Sequence, residues 1–240
     1  MSKNYFFISD VHLGLQNEQT EKIKEKRLVE FISFASLNCD ELFILGDLFD
    51  YWFEYKRVIQ KGYFKTFSAL KEMTEKGVRV KYLIGNHDFM HRDFFEKEIG
   101  AELKEDAFSI VLNEKKFFLG HGDGLVKNDN GYKILKKILR NKTFQKMYSV
   151  IHPDLGIALA SKTSKTSRDY TAEKDYGESD GLFEAACGKI DEGFDYVILG
   201  HTHKRRNEKY KNGYYINLGS WLNKPCYGKF NGNIFEIIDW

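Results

Sequence analysis

Five times along the chain, a short apolar run ends in a small residue and delivers a metal-binding side chain at once. Phe6-Phe7-Ile8-Ser9 precedes Asp10 and His12, Phe43-Ile44-Leu45-Gly46 precedes Asp47, and Tyr82-Leu83-Ile84-Gly85 precedes Asn86-His87-Asp88. Phe117-Phe118-Leu119-Gly120 precedes His121, and Val197-Ile198-Leu199-Gly200 precedes His201-Thr202-His203. Apolar runs of this length, broken by a turn residue, read as buried strands. Open α/β sheets keep their sites at the C-terminal ends of such strands. The pattern therefore predicts an α/β fold in which five strands aim polar side chains at one cleft.

The spacing supports this. The first four motifs begin at positions 10, 47, 86 and 121, intervals of 37, 39 and 35 residues. Each is close to the roughly 30 or more residues of a strand, crossover helix and strand. Helices are expected over 18–37, where Leu28, Val29, Phe31, Ile32 and Ala35 recur at helical spacing, over about 61–76, and briefly over 93–98. The charged stretch 21–27 reads as the solvated start of the first helix. After Asn212-Gly213 and Asn231-Gly232, both strong hairpin signals, the chain is expected to end in antiparallel strands over 214–218 and 233–239.

The interval from 121 to 201 is 80 residues, so about one further unit, roughly 125–175, is inserted into a single domain spanning 1–240. The inserted part carries Lys133, Lys136, Lys137, Arg140, Lys142 and Lys146 with no acid between Asp129 and Asp154. Ile134, Leu135, Ile138, Leu139, Phe144, Met147 and Ile151 give it an apolar side. The expectation is a basic amphipathic helix, able to lie on an anionic membrane surface or to cover a cleft that takes anionic, apolar ligands. A helix packed on the domain with a solvated basic face is the plainer alternative. Residues 161–168 read as a polar loop.

A net charge of +2 implies no global pull toward nucleic acid, and no nucleic-acid motif is present. Three isolated cysteines, Cys39, Cys187 and Cys226, make neither a disulfide framework nor a thiolate zinc site. With no secretory signal and no apolar run near the roughly 20 residues of a spanning helix, a cytoplasmic protein is expected.

The ligand candidates are Asp10, His12, Asp47, Asn86, His121, His201 and His203, an oxygen and imidazole set suited to Mn, Fe, Zn or similar divalent ions. Seven donors are too many for one ion. If Asp47 bridges, Asp10, His12, Asp47 and His203 hold the first and Asp47, Asn86, His121 and His201 the second. Two ions about 3.5 to 4 Å apart activate a shared water and clamp a phosphoryl group, which implies phosphoester or phosphoanhydride hydrolysis. Asp47 and Asn86 would thus be catalytic, and His87 is placed to donate a hydrogen bond or proton, oriented by Asp88. Asp50 and Asp123 read as groups that orient ligands. His91 and His152 fall outside the pattern and read as structural.

Asp10-x-His12, Gly46-Asp47-x-x-Asp50, Gly85-Asn86-His87-Asp88, Gly120-His121 and Gly200-His201-x-His203 together resemble the signature of the calcineurin-like metallophosphoesterases. That resemblance implies a four-layer sandwich of two mixed sheets flanked by helices. A narrower one rests on Gly46-Asp47-Leu48-Phe49-Asp50-Tyr51-Trp52, His121-Gly122-Asp123-Gly124, Asp129, Gly131-Tyr132 and the inserted segment. These are similar to the UDP-2,3-diacylglucosamine pyrophosphatases of lipid A biosynthesis, which release UMP and diacylglucosamine 1-phosphate. The likeness implies manganese, a helical cap that takes acyl chains, peripheral attachment to the cytoplasmic face of the inner membrane, and no obligate protein partner. It also implies that Asp129 and Tyr132 lie beside the sugar phosphate, with Asn86, His87 and His201. Where the better-known branch has Asn-Arg-Asp this chain has Asn86-His87-Asp88, so Arg168 or a lysine of the insertion is expected to supply the missing cation, and further polar contacts fall in 161–174. The rival expectations are a phosphodiesterase or phosphatase for soluble nucleotides or other phosphoesters, and a non-catalytic metal-binding scaffold.

Overall fold

The computed structural model describes residues 3–125, 136–156, 158 and 178–240. Asp129, Tyr132, Arg168 and the stretch 161–174 lie outside the described residues. Strands β1 (Tyr5–Ile8), β2 (Glu41–Leu45), β3 (Arg79–Leu83) and β4 (Glu102–Lys104) run parallel. Beyond β1 the sheet continues antiparallel through β10 (Cys226–Phe230) and β11 (Phe235–Asp239), in the order β11-β10-β1-β2-β3-β4. The second sheet comprises β5 (Phe108–Leu112), β6 (Lys115–Leu119), β7 (Tyr196–Leu199), β8 (Arg206–Tyr210) and β9 (Gly213–Asn217), in the order β5-β6-β7-β9-β8. The α-helices include α1 (Glu18–Asn38), α2 (Phe64–Glu75), α3 (Lys142–Tyr148) and α4 (Glu178–Asp191).

Side-chain alternation sets the layers. In β1, Phe6 and Ile8 join a core with Leu28, Phe31 and Ile32 of α1, whereas Tyr5 and Phe7 join one with Phe117, Ile198 and Ile216 of the other sheet. Leu42 and Ile44 against Phe43 and Leu45 repeat this in β2. On the far side, Val197 and Leu199 of β7 pack on Leu182, Ala186 and Ile190 of α4. The order is therefore helices, sheet, sheet, helix, and strands covered on both faces read as continuous apolar runs. Phe7 stacks on Phe43 at 4.8 Å between centroids and lies 6.1 Å from Phe117, tying one sheet to the other.

The expected helices form, with local differences. Asn17 caps α1 by accepting from the Thr20 N–H at 3.0 Å. The stretch 21–27 at the start of α1 is not simply solvated. Glu21 accepts from the Gly14 and Gln16 N–H groups at 2.8 and 2.7 Å, and buried Lys24 donates to the His12 carbonyl at 2.5 Å. The short helix expected at 93–98 is a π-helical turn, Phe95–Ile99, closed by Gly100 at φ 82°. The expected continuous helix of the inserted part is interrupted. Residues 136–139 are helical, and Asn141 then starts α3 by accepting from the Thr143 and Phe144 N–H groups at 2.9 and 3.1 Å. An asparagine that bonds the backbone locally favours a new cap over helix continuation.

Both asparagine-glycine signals mark hairpins, but in different sheets. Lys211 and Asn212 turn β8 into β9, with Tyr210 opposite Gly213, and the loop after Phe230 turns β10 into β11. The strands expected over 214–218 and 233–239 therefore each pair antiparallel with a neighbour of their own.

Candidate metal centre

The parallel register of β1 and β2, with Ile8 opposite Ile44, carries their following loops out side by side. The loops stay zipped: Asp10 N–H donates to the Gly46 carbonyl at 3.2 Å, His12 to Asp47 at 2.9 Å and Leu13 to Leu48 at 3.0 Å. In the second sheet, Gly120 donates to the Ile198 carbonyl at 3.1 Å and Gly200 to the His121 carbonyl at 2.7 Å. The loop after β7 rests on Asn217, fully buried, which donates to the Gly200 carbonyl at 2.6 Å and the Thr202 hydroxyl at 3.1 Å. Two sheets thus aim their strand ends at one another.

All seven candidate ligands meet there. Asp10 Oδ1 is 3.8 Å from His12 Nε2 and 3.4 Å from His203 Nε2, and those two nitrogens are 3.0 Å apart. Asp47 Oδ2 stands between groups, 3.7 Å from His12 Nε2 and 3.2 Å from His121 Nε2. Asn86 Oδ1 is 2.8 Å from His121 Nε2 and 2.9 Å from His201 Nδ1. Left-handed φ values, costly for residues with a side chain, recur at this site: 53° at Asp10, 50° at His12, 53° at Asp47, 73° at His201 and 57° at His203. The strain is held by the packing around it.

The motif glycines follow from the same crowding. A Cβ on Gly85 would collide with the Asp47 carboxylate, and one on Gly200 with that of Asp10. One on Gly46 would lie 2.5 Å from His121 Nδ1.

The donor chemistry fits divalent cations. His121 Nδ1 donates to the Leu45 carbonyl at 2.9 Å, so Nε2 of the neutral ring is a lone pair. It points at two further acceptors, Asp47 Oδ2 and Asn86 Oδ1. Acceptors that converge out of solvent repel one another unless a proton or cation lies between them. Burial alone would raise the Asp10 and Asp47 carboxyls, yet the surrounding imidazoles hold both well below the usual carboxylate range. Burial opposes charge on His12, but Asp10 and Asp50 bring it up to about 9, and the Asp47 charge likewise raises His121. A field that favours protonated imidazoles favours a dication in their place.

The neighbouring acids divide differently from expectation. Asp88 does not orient His87: its Oδ1 accepts from the Gly85 N–H at 2.8 Å, and its Oδ2 from the Leu48 N–H at 2.8 Å and the Tyr82 hydroxyl. Burial first and the Asp47 charge second raise its carboxyl to about 6. A carboxylate pointed at three donors serves the loop backbone instead. Asp50 takes the role by way of its carbonyl, 3.1 Å from His87 Nδ1, while its Oδ1 lies 3.6 Å from His12 Nδ1. Asp123 lies beside His121 and pairs with Lys136 Nζ at 2.7 Å. His91 sits among Trp52, Tyr82 and Phe95, and His152 lies 3.8 Å from Asp154. Lys24, Tyr82, Lys136 and Arg140 support the site without any motif to announce them.

A two-sheet sandwich with this constellation defines a metal-dependent phosphoesterase, and the chain belongs to the calcineurin-like phosphoesterase family, whose pattern matches residues 4–205. Among its relatives, a UDP-2,3-diacylglucosamine hydrolase of Porphyromonas gingivalis is 27% identical over 99% of this chain and 97% of its own. One of Haemophilus influenzae is 30% identical over 91% of each. Among solved structures, an archaeal phosphodiesterase superposes with a TM-score of 0.50 at 16% identity over 99% of both chains, a likeness of fold.

Proposed function

We propose that this protein hydrolyses the pyrophosphate bond of UDP-2,3-diacylglucosamine to give UMP and 2,3-diacylglucosamine 1-phosphate. The observation that carries the hydrolytic reading is the position of Asp47, one carboxylate facing both His12 and His121; the substrate follows the UDP-2,3-diacylglucosamine hydrolases to which the chain is similar. Asp10, His12, Asp47 and His203 are assigned to one divalent ion, and Asp47, Asn86, His121 and His201 to a second, both assigned as Mn2+. When bound, such a pair supplies an activated water and neutralises charge on the phosphoryl group. The chain does the rest. His87, its Nδ1 donating to the Asp50 carbonyl at 3.1 Å, is assigned, in its imidazolium form, to give the Nε2 proton to the leaving oxygen. Asn86 and His201 border the phosphoryl position, and Asp129, Tyr132 and Arg168 are assigned to the sugar phosphate.

Residues 125–175 are assigned as a cap for the acyl chains. Within 136–156, Ile138, Met147, Val150 and Leu155 stay exposed alongside Lys137, Lys142 and Lys146, a combination suited to an anionic bilayer surface. Attachment to the cytoplasmic face of the inner membrane is assigned as peripheral, by way of those exposed apolar and basic side chains; among the described residues no helix is long and apolar enough to cross a membrane.

The test is hydrolysis by purified protein with Mn2+, comparing UDP-2,3-diacylglucosamine, UDP-glucosamine and bis(4-nitrophenyl) phosphate. A kcat/KM at least about 100-fold higher for the diacylated substrate, with UMP as product, is expected, since about 2.7 kcal/mol is a modest share of burying acyl chains at about 0.8 kcal/mol per methylene. Equal rates on the acylated and unacylated nucleotides would favour a soluble-nucleotide enzyme.

A further inference from the structure

Lys136 and Arg140 lie one helical turn apart, with the Arg140 N–H donating to the Lys136 carbonyl at 2.9 Å. Their side chains leave that turn toward three loops of the sandwich, at Ile84, Glu105–Asp106 and Asp123. Lys136 Nζ is 2.7 Å from Asp123 Oδ2 and donates to the Asp123 carbonyl at 3.3 Å. The pair is largely withdrawn from water, with side chains 23% and 4% exposed, so salt screens it far less than a surface pair. Arg140 donates to the Ile84 carbonyl at 3.3 Å, to the Glu105 carbonyl, and to Asp106 Oδ1 at 3.1 Å. Asp123 follows His121 by two residues and Ile84 precedes Asn86 by two. The basic turn therefore grips the two loops that present Asn86 and His121.

A second contact zone sets the rest of the segment. Phe144 and Tyr148 of α3 pack on Tyr51, Phe53 and Met90, with Tyr148 5.0 Å from Phe53 between centroids. This zone belongs to the other flank, between the loops that follow β2 and β3. The ionic grip and the aromatic patch hold 136–156 at two points; Met90 of the patch lies further along the loop that presents Asn86, while the grip reaches both that loop and the loop of His121.

We propose that Lys136 and Arg140 are positioning residues that couple the seating of segment 136–156 to occupation of the Asn86–His121 side of the metal centre. An ion there fixes the two loops in the geometry the turn grips, and the seated turn holds those loops for the ion. Such coupling is reciprocal by linkage. The proposal rests on the two-ion reading above and is independent of which phosphoester is cleaved.

Hydrogen exchange on the full chain, metal-free and with Mn2+ alone, tests it. Peptides over 84–88 report ion binding, those over 142–148 report seating, and β1 serves as a control for folding. In the unaltered protein Mn2+ slows exchange in both reporters, the second by at least about fivefold, the low end of ordinary coupling. With Lys136→Met and Arg140→Gln together, slowing persists at 84–88 but disappears at 142–148, while Lys136→Arg retains both. Slowing at 142–148 that survives the double substitution overturns the proposal, as does its absence from the unaltered protein when 84–88 responds. If Mn2+ changes neither reporter, the two-ion reading fails first.

Discussion

Asp47 and Asp10 each occupy the space a neighbouring Cβ would need, and this explains why glycine precedes the polar residue in so many of the motifs. Gly85→Ala would push the Asp47 carboxylate from between the imidazoles, and we expect it to cost at least the roughly 10- to 100-fold in metal affinity seen on disturbing groups that support ligands. Manganese titration by calorimetry would check this; unaltered affinity would mean the contact is slack. Asp47→Asn should lower both metal content and kcat by more, because one residue serves both halves. His91 offers a separate, pH-linked test. Burial among aromatic rings lowers its imidazole from 6.5 to about 3. Above about pH 6.5 the ring is neutral in both states and contributes nothing. Below it the unfolded chain binds a proton that the folded chain refuses, so stability falls by up to about 1.4 kcal/mol per pH unit down toward pH 3. His91→Phe should flatten that slope in urea unfolding at about pH 5 and pH 7; an unchanged slope would show the ring to be solvated. The seven ligand candidates were legible because each follows a buried run. Lys24 and Lys136 were not, since a lysine in a helical turn gives no hint that it bends back to a loop.

At the level of elements, legibility followed burial. The strands that carry motifs are covered on both faces and stand out as apolar runs. β4 and β8 are sheet edges, Glu102–Lys104 and Arg206–Tyr210, rich in charge and without an apolar signature. α4 buries only one stripe, Leu182, Ala186 and Ile190, and its sequence prompted no helical reading. The basic and apolar side chains of segment 136–156 are plain in its composition, but its break at Asn141 is a capping effect that periodicity averages away. Ile138 stands 49% exposed beside half-buried Leu139. Replacing both by Ser should raise KM for the diacylated substrate about 10-fold or more, the worth of roughly 1.4 kcal/mol of lost apolar contact, and alter bis(4-nitrophenyl) phosphate hydrolysis far less. Equal effects on the two substrates would assign the segment a structural role only.

Across the whole molecule, the site exists because two sheets, stacked through Phe7, Phe43 and Phe117, point their strand ends at a common seam. Asp10, His12, Asp47 and Asn86 come from one sheet and His121, His201 and His203 from the other, so neither sheet alone holds the set. Phe7→Ala would open a cavity in that seam and is expected to cost about 3–5 kcal/mol in urea unfolding; a cost below about 1 kcal/mol would show that the sheets close up without it. The central claim is that the seam binds a pair of divalent ions around Asp47. Anomalous diffraction from crystals of the manganese-loaded protein tests this most directly. The account predicts two peaks about 3.5 to 4 Å apart, one beside Asp10, His12 and His203, the other beside Asn86, His121 and His201, with the Asp47 carboxylate between them. A single peak, or peaks that leave Asp47 without a metal contact, would contradict it.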